Sequence, residues 1–159
     1  MIDNLRFPLT LIAALGCGLI GGVFFAFSTF VMRALERLPP AQGISAMQSI
    51  NVTVINPLFM AAFLGTAALC VLLAILSLLR WQEPGAAWLL AGSVLYLAGN
   101  IVVTMAFNVP RNDALAAVDP GSVEGARLWA DYLVGWNLWN HVRAVTGLLS
   151  AASFMAALR

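Results

Sequence analysis

Four long apolar segments constrain this chain more than any other feature of its sequence. They are Phe7–Met32, Val52–Leu79, Pro84–Pro110 and Tyr132–Leu158, and each is 26 to 28 residues long. Together they contain a single Asp, Glu, Lys or Arg residue, which is an arginine. A helix needs about 20 residues to cross a hydrocarbon core of roughly 30 Å. Helices and closed barrels are the folds that satisfy their backbone hydrogen bonds in lipid, and the strict alternation of barrel strands is absent. The sequence therefore predicts an all-α fold with four transmembrane helices arranged up-down-up-down.

The composition agrees with a membrane protein. Charged residues make up 9% and apolar residues 62% of the 159 residues, whereas soluble domains are near 25% charged. The net charge of +1 offers no basic surface for nucleic acid. Cys17 and Cys70 have no spacing typical of a metal site, and a metal site needs several His or carboxylate ligands where this chain has one histidine, so we expect no metal. Methionine and aromatic residues on helices more often serve packing than a cofactor site, and we expect no cofactor. We expect one multi-pass domain, residues 1–159, in the bacterial inner membrane with the lipid bilayer as partner.

The helix boundaries follow from proline and asparagine. We predict spans at about residues 8–33, 57–79, 85–108 and 133–158. Asn56 and Pro57 resemble an N-cap followed by proline at the first helical position. This pattern predicts a short interfacial helix over Ile44–Ile55, separate from helix two. The alternative is one helix kinked at Pro57.

The connection between helices three and four is predicted to be partly helical. Helix three should end near Asn108, because the residue before Pro110 is disfavoured in helical conformation. Asp119 and Pro120 indicate a new helix start near residue 120. That helix can run into helix four, with a bend at Gly135.

Helix one carries glycines at a spacing that permits close helix packing. They are Gly16, Gly18, Gly21 and Gly22, of which Gly18 and Gly22 fit the Gly-x-x-x-Gly pattern. We expect this seam to serve packing within the chain, and a homo-oligomer is the alternative.

Polar residues of all four predicted helices fall at one end of the bundle. Asn100, Thr104 and Asn108 share one helix face, and Trp136, Asn140 and Arg143 share another. Ser28 and Asn56 lie at the same end, and the nearby Phe24, Phe25 and Phe27 can supply aromatic walls. An apolar pocket with a few converging polar groups is typical of a small-molecule site. The alternative is that Arg143 extends to the interface while the asparagines join helices.

Several of these sequence features together resemble one family, the anthrone oxygenase-like proteins. They are Gly21–Ser28 at the end of helix one, Asn56-Pro57, the turn Asn108-Val109-Pro110-Arg111-Asn112, and Trp136 with Asn140 and Arg143. The family consists of small integral membrane proteins, some linked to polyketide pathways. There they oxidise an anthrone to an anthraquinone with O2 and without an evident metal or flavin. The resemblance implies Asn108, Asn112, Trp136, Asn140 and Arg143 as site residues and an apolar aromatic small molecule as ligand.

The predicted roles follow from the chemistry of an anthrone. Loss of its acidic CH proton gives an electron-rich anion that can react with O2. We predict Arg143, Asn140 and His141 as catalytic residues, with Arg143 and the amides stabilising the anion. His141 would be the base, and Asp131 is its rival. The predicted substrate-binding residues are Asn100, Thr104, Asn108, Asn112, Trp136, Asn56, Ser28 and Phe25. The alternative function is a non-catalytic membrane module that binds a lipid, a quinone or a partner protein.

Overall fold

The chain forms five helices in a computed structural model that describes residues 2–159, with side chains from Leu5 onward. No strand occurs in this described range. Helix α1 runs Ile2–Ala26, passes through a π-helical turn at Phe27–Val31 and ends with Met32–Glu36. Helix α2 is Pro40–Thr53 and helix α3 is Pro57–Leu79.

Helix α4 is the most irregular of the five. It starts as Ala86–Tyr96, contains π-helical turns at Leu97–Val102 and Thr104–Asn108, and ends with Val109–Ala116. Gly85 precedes it with a φ of 81°, a left-handed conformation that favours glycine. Helix α5, Val123–Ala157, has 35 residues, which corresponds to about 52 Å at 1.5 Å per residue.

Helix α3 begins at the residue that the sequence predicts. The Asn56 side chain accepts a hydrogen bond from the Phe59 N–H at 3.0 Å, and Pro57 occupies the first turn. Helix α2 is a separate helix, so the alternative of one helix kinked at Pro57 is wrong. The start at Pro40 is earlier than the predicted Ile44, because proline also suits the first turn of this helix.

The prediction that helix three ends near Asn108 is wrong. Val109 has helical dihedrals, and its N–H bonds to the carbonyl oxygen of Thr104, five residues earlier. This wider turn displaces the backbone where the Pro110 ring would otherwise meet the preceding turn, so the helix continues to Ala116. Proline disrupts a regular α-helix by that clash and by its missing N–H.

Helix α5 begins three residues after the predicted start. Ser122 caps it by accepting from the Gly125 N–H at 2.9 Å, while Asp119 closes the preceding turn through the Gly121 N–H. The helix then runs to Ala157 without an interruption at Gly135.

Among the described residues, three helices are long and apolar enough to cross a membrane. They are Leu5–Glu36, Pro57–Leu79 and Ala86–Ala116. Helix α5 does not belong to this group. Its segment 136–143 lowers its apolarity, because tryptophan, asparagine, histidine and arginine occur there together.

Two hydrophobic clusters lie along helix α5, which packs against α1 and α4, while α3 packs against the same two helices. The larger cluster fills the space between the long helices and includes Ile20, Leu73 and Phe154. The second cluster lies at the other end of α5. Its buried members come from α1, α2, α4 and α5: Met32, Leu35, Ile44, Met47, Leu115, Trp129, Tyr132 and Trp136. The candidate site lies between the two.

Candidate functional site

The candidate site is built around Arg143, which is buried with 4% of its surface exposed. Its Nη2 donates to Asn140 Oδ1 at 2.8 Å, and its Nη1 donates to Thr104 Oγ1 at 3.3 Å. The guanidinium carbon lies 4.0 Å from the centre of the Phe24 ring and 5.0 Å from that of Trp136. A desolvated cation over an aromatic face gains about 2 kcal/mol.

No carboxylate pairs with Arg143 in the described part of the chain. The salt bridges found in that part lie at the opposite end of the molecule, where Glu83 pairs with Arg6 at 2.7 Å and with Arg80 at 3.2 Å. A buried charge usually has a charged partner, because desolvation costs several kcal/mol per ion. The Arg143 charge is therefore held by dipoles and aromatic faces alone.

Asn140 fixes the geometry around Arg143. Its Nδ2 donates to the Phe24 carbonyl oxygen and to Ser28 Oγ, both at 2.8 Å, so its oxygen remains free to accept from Arg143. Ser28 lies in the π-helical turn of α1. Turns of this kind occur frequently at functional sites. Here one amide group, that of Asn140, binds both the serine of this turn and the Phe24 carbonyl oxygen in the preceding helical turn.

Helix α4 contributes its polar residues from the two π-helical turns. Asn108 donates to the Trp136 carbonyl oxygen at 3.2 Å. With its amide turned so that both atoms find partners, Asn100 donates to the Arg143 carbonyl oxygen at 3.2 Å and accepts from the Gly147 N–H at 3.3 Å. Both asparagines are buried, and they join α4 to α5 above and below the guanidinium.

Buried polar atoms without a partner are concentrated in the same region. In the described range they are Asn108 Oδ1, Trp136 Nε1, Asn137 Oδ1 and Arg143 Nε. Buried polar groups in proteins are nearly always hydrogen-bonded, so each exception requires an explanation. Two of the four are N–H donors that belong to side chains in mutual contact, Trp136 and Arg143.

An aromatic stack leads from Arg143 toward the end of the molecule. Trp136, Tyr132 and Trp129 follow one another on α5 with ring centres 5.9 and 5.6 Å apart and interplanar angles of 18° and 16°. The Tyr132 hydroxyl donates to Asn112 Oδ1 at 2.8 Å.

The structure brings most of the predicted site residues together. The predicted inward orientation of Asn108, Asn140 and Arg143 is confirmed by their burial. Seven predicted residues meet directly or through one neighbour: Asn100, Thr104, Asn108, Asn140 and Arg143, with Ser28 and Trp136. Asn112 joins them through Tyr132. The functions of all these residues stay predictions.

Three predicted residues lie apart from this cluster. Asn56 is exposed and serves as the cap of α3. Phe25 is 53% exposed, and the ring against Arg143 is that of Phe24. His141 is exposed on the outer face of α5, because it is two residues from Arg143 on a helix with 3.6 residues per turn.

Sequence reasoning missed two further residues that support the site. Tyr132 lies four residues before Trp136, and Thr146 accepts from Asn100 Nδ2 at 3.3 Å in the other amide orientation. The available signal was helical spacing, since Tyr132, Trp136, Asn140 and Arg143 follow one face of α5. In the described range, no group of three His, Cys, Asp or Glu side chains is arranged to hold a metal ion.

The fold and the site define a class first: an all-helical protein with long apolar helices suited to a lipid bilayer. Comparison with known families then identifies it more closely. The family model described as Anthrone oxygenase matches residues 58–153, more than half of the chain. The chain belongs to this family. The match contains Asn100, Asn108, Asn140 and Arg143, and it begins after Phe24 and Ser28 in the sequence. No curated protein and no solved structure matches.

Proposed function

We propose that this protein is a membrane enzyme that uses O2 to oxidise a flat aromatic, anthrone-like molecule. The observation that carries the proposal is the buried Arg143, whose charge has no carboxylate partner in the described part of the chain. An anionic ligand would supply the missing negative charge. Membership of the Anthrone oxygenase family supports an anthrone-like molecule as the source of that anion.

The proposed reaction converts the CH2 group between two rings into a carbonyl group. Both C–H bonds break, one oxygen atom of O2 becomes the carbonyl oxygen, and the other leaves as water. O2 thus accepts the four electrons that the carbon loses. Removal of the first proton gives an anion delocalised over the ring oxygen. Arg143, with the unpartnered N–H of Trp136 beside it, would stabilise that charge as a preorganised donor pair.

We propose the base that takes the first proton from where the candidate side chains lie relative to Arg143 and Trp136. His141 was predicted for this role, but its side chain is exposed and points away from Arg143. Asp131 is exposed as well, but it borders a groove of about 270 Å³ together with Tyr132, whose ring stacks on Trp136. This placement favours Asp131, and we retain both residues as candidates for the test.

We further propose that all four long helices cross the membrane, up-down-up-down, with both termini on one side of a bacterial inner membrane. Helix α5 is less apolar than the other three, but its polar groups Asn140 and Arg143 are buried against α1 and α4. Polar residues within a span usually face the bundle interior. The lipid therefore meets chiefly apolar side chains such as Val145 and Leu149.

The test is O2 uptake by membranes that contain the protein and an added anthrone. We expect uptake above that of empty membranes, with one anthraquinone formed per O2. Arg143→Met should lower the rate at least about a hundredfold, the effect of removing one oxyanion donor. Asp131→Asn should lower it more than His141→Gln. Equal rates in the wild type, Arg143→Met and empty membranes would refute the proposed function.

A further inference from the structure

The site around Arg143 is packed, so a ligand must first bind elsewhere. Asn140 is fully buried and Arg143 nearly so, and two aromatic side chains cover the guanidinium. A three-ring molecule cannot reach Arg143 unless these side chains move. A docking site near Arg143 would hold the ligand until these side chains move.

A groove of about 690 Å³ lies at the same end of the molecule, between helix α2 with the turn after it and the last part of helix α4. This volume lies within the range of about 300–1,000 Å³ typical of small-molecule sites. Each wall carries polar and apolar groups. They are Asn51, Val52 and Ile55 on one side, and Val109, Asn112 and Asp113 on the other.

The groove connects to Arg143 through two stacked rings. Asn112, on its wall, accepts the hydrogen bond of the Tyr132 hydroxyl at 2.8 Å. The Tyr132 ring stacks on Trp136 with centres 5.9 Å apart, and Trp136 lies 5.0 Å from the guanidinium carbon of Arg143. The Tyr132–Asn112 bond thus joins a wall of the groove to the ring that stacks on Trp136.

We propose that this groove is the docking site of a neutral, planar, hydroxylated aromatic molecule, and that the Tyr132–Asn112 hydrogen bond is the latch between it and Arg143. This inference rests on the proposed function, because it names where the aromatic substrate of that reaction first binds. The π-helical turn Thr104–Asn108 lies directly before the α4 wall, and such turns are points where a helix can adjust.

The lining selects for the protonated form of the ligand. Ring hydroxyl groups can donate to the Asp113 carboxylate and pair with the amides of Asn51 and Asn112, while the ring faces pack on Val52 and Ile55. A ligand that was already anionic would be repelled by Asp113, since like charges in close contact disfavour each other. The ligand therefore enters neutral and loses its proton only beside Arg143.

The test uses a dihydroxyanthraquinone, which has the shape and hydroxyl groups of the product and does not undergo the proposed oxidation. Its binding to the protein in lipid nanodiscs is followed by quenching of tryptophan fluorescence. Ile55→Trp fills the groove and should weaken binding about tenfold or more, a difference of about 1.4 kcal/mol. Leu58→Trp is the matched control, because Leu58 is also strongly exposed and lies outside the groove lining. It should bind like the wild type.

The latch is tested by kinetics on the same probe. Tyr132→Phe keeps the aromatic ring and removes the hydroxyl that donates to Asn112. Binding in the groove should remain, while the anionic absorption band of the probe, which reports arrival at Arg143, should appear several times faster. At the pH at which the wild type shows the band, Arg143→Met should bind the probe in the groove without showing it.

Two results would overturn the inference. One is equal affinity in Ile55→Trp and Leu58→Trp, which would indicate entry by another route, such as directly from the lipid. The other is an anionic band that appears at the same rate in Tyr132→Phe and the wild type. A third result would separate the two proposals. If Ile55→Trp weakens binding but neither the wild type nor any variant consumes O2 with an anthrone, the docking site stands and the proposed oxidation is wrong.

Discussion

Arg143 is costly to bury, and the residues around it show how the fold offsets that cost. The guanidinium receives the faces of Phe24 and Trp136, the oxygen of Asn140 and the hydroxyl of Thr104. All of these contacts are neutral. Desolvation of a buried ion costs several kcal/mol, and these neutral groups are the ones that offset it; the role of Arg143 as an anion-binding group stays a proposal.

Asn140 is the residue whose loss should most disturb the site. Asn140→Ala removes two hydrogen bonds to α1 and the acceptor of Arg143, leaving buried groups unsatisfied. We expect the free energy of unfolding to fall by about 1–3 kcal/mol, measured by thermal or denaturant unfolding in detergent. The neighbouring exposed residue provides the control, and His141→Ala should change stability by less than about 0.5 kcal/mol. Equal effects of the two changes would contradict the assigned geometry.

At the residue scale, the sequence predicted which polar groups face inward but not which aromatic ring meets them. Spacing of four and seven residues on regular α5 places Asn140 and Arg143 beside Trp136. For α1 the sequence offers Phe24, Phe25 and Phe27 as aromatic walls and selects Phe25 as a substrate-binding residue. In the structure Phe24 lies against Arg143 and Phe25 is exposed, because the rotation of α1 about its axis depends on its packing against α5.

At the element scale, the backbones of α1 and α5 come into direct contact at a glycine pair. A Cβ atom built on Gly21 would lie 3.0 Å from the Leu148 nitrogen and 3.1 Å from the Gly147 carbonyl carbon. A Cβ on Gly18 meets only an ordinary contact at 3.9 Å, and one on Gly22 meets nothing within 4 Å. Gly21 is one of the four glycines from which the sequence predicts close packing of helix one, but the two that fit the Gly-x-x-x-Gly pattern, Gly18 and Gly22, do not form this contact.

This difference predicts opposite outcomes for adjacent substitutions. Gly21→Ala should push α1 and α5 apart and lower the free energy of unfolding by about 1–3 kcal/mol, the usual cost of overpacking. Gly22→Ala adds the same methyl group in open space and should be neutral or slightly stabilising, since alanine favours the helix. Thermal unfolding of both variants in the same detergent provides the comparison. Equal loss of stability in the two variants would show that this helix contact is wrong.

The connection between α4 and α5 shows why element boundaries were harder to predict than elements. Ser122 and the turn at Asp119 are local signals, and they marked the start of α5 to within a few residues. The path through Pro110 depends on the π-helical turn that precedes it. In that turn Asn108 donates to the Trp136 carbonyl oxygen, a contact between distant parts of the chain that local sequence signals do not reveal.

At the scale of the whole molecule, the arrangement of the helices predicts which surfaces share a side of the membrane. Glu36→Cys and Asp119→Cys should react with an impermeant maleimide from one side, and Gln82→Cys from the other. The native cysteines Cys17 and Cys70 are buried, so labelling of the unmodified protein should be low. Labelling of residues 36 and 82 from the same side would contradict the four-span topology.

The whole-molecule architecture was the easiest feature to predict. Long uncharged segments leave few alternatives to helices in lipid, and all five helices were anticipated in outline. The position of helix α2 could not be predicted, because it depends on Ile44 and Met47 filling a space between Leu115 and Trp129. That packing creates one wall of the groove, so the proposed docking site emerged only from the structure.

The most direct test of the central claim is the acidity of a ligand bound beside Arg143. We would titrate the dihydroxyanthraquinone bound to the protein in nanodiscs and follow the absorption band of its anion with pH. If Arg143 stabilises an aromatic anion, the pKa of the bound phenol should be lower in the wild type than in Arg143→Met by about 1–3 units, the effect expected of a cation at close range. The anion band of the wild type would then appear at lower pH. Identical titration curves for the two proteins would contradict the role assigned to Arg143.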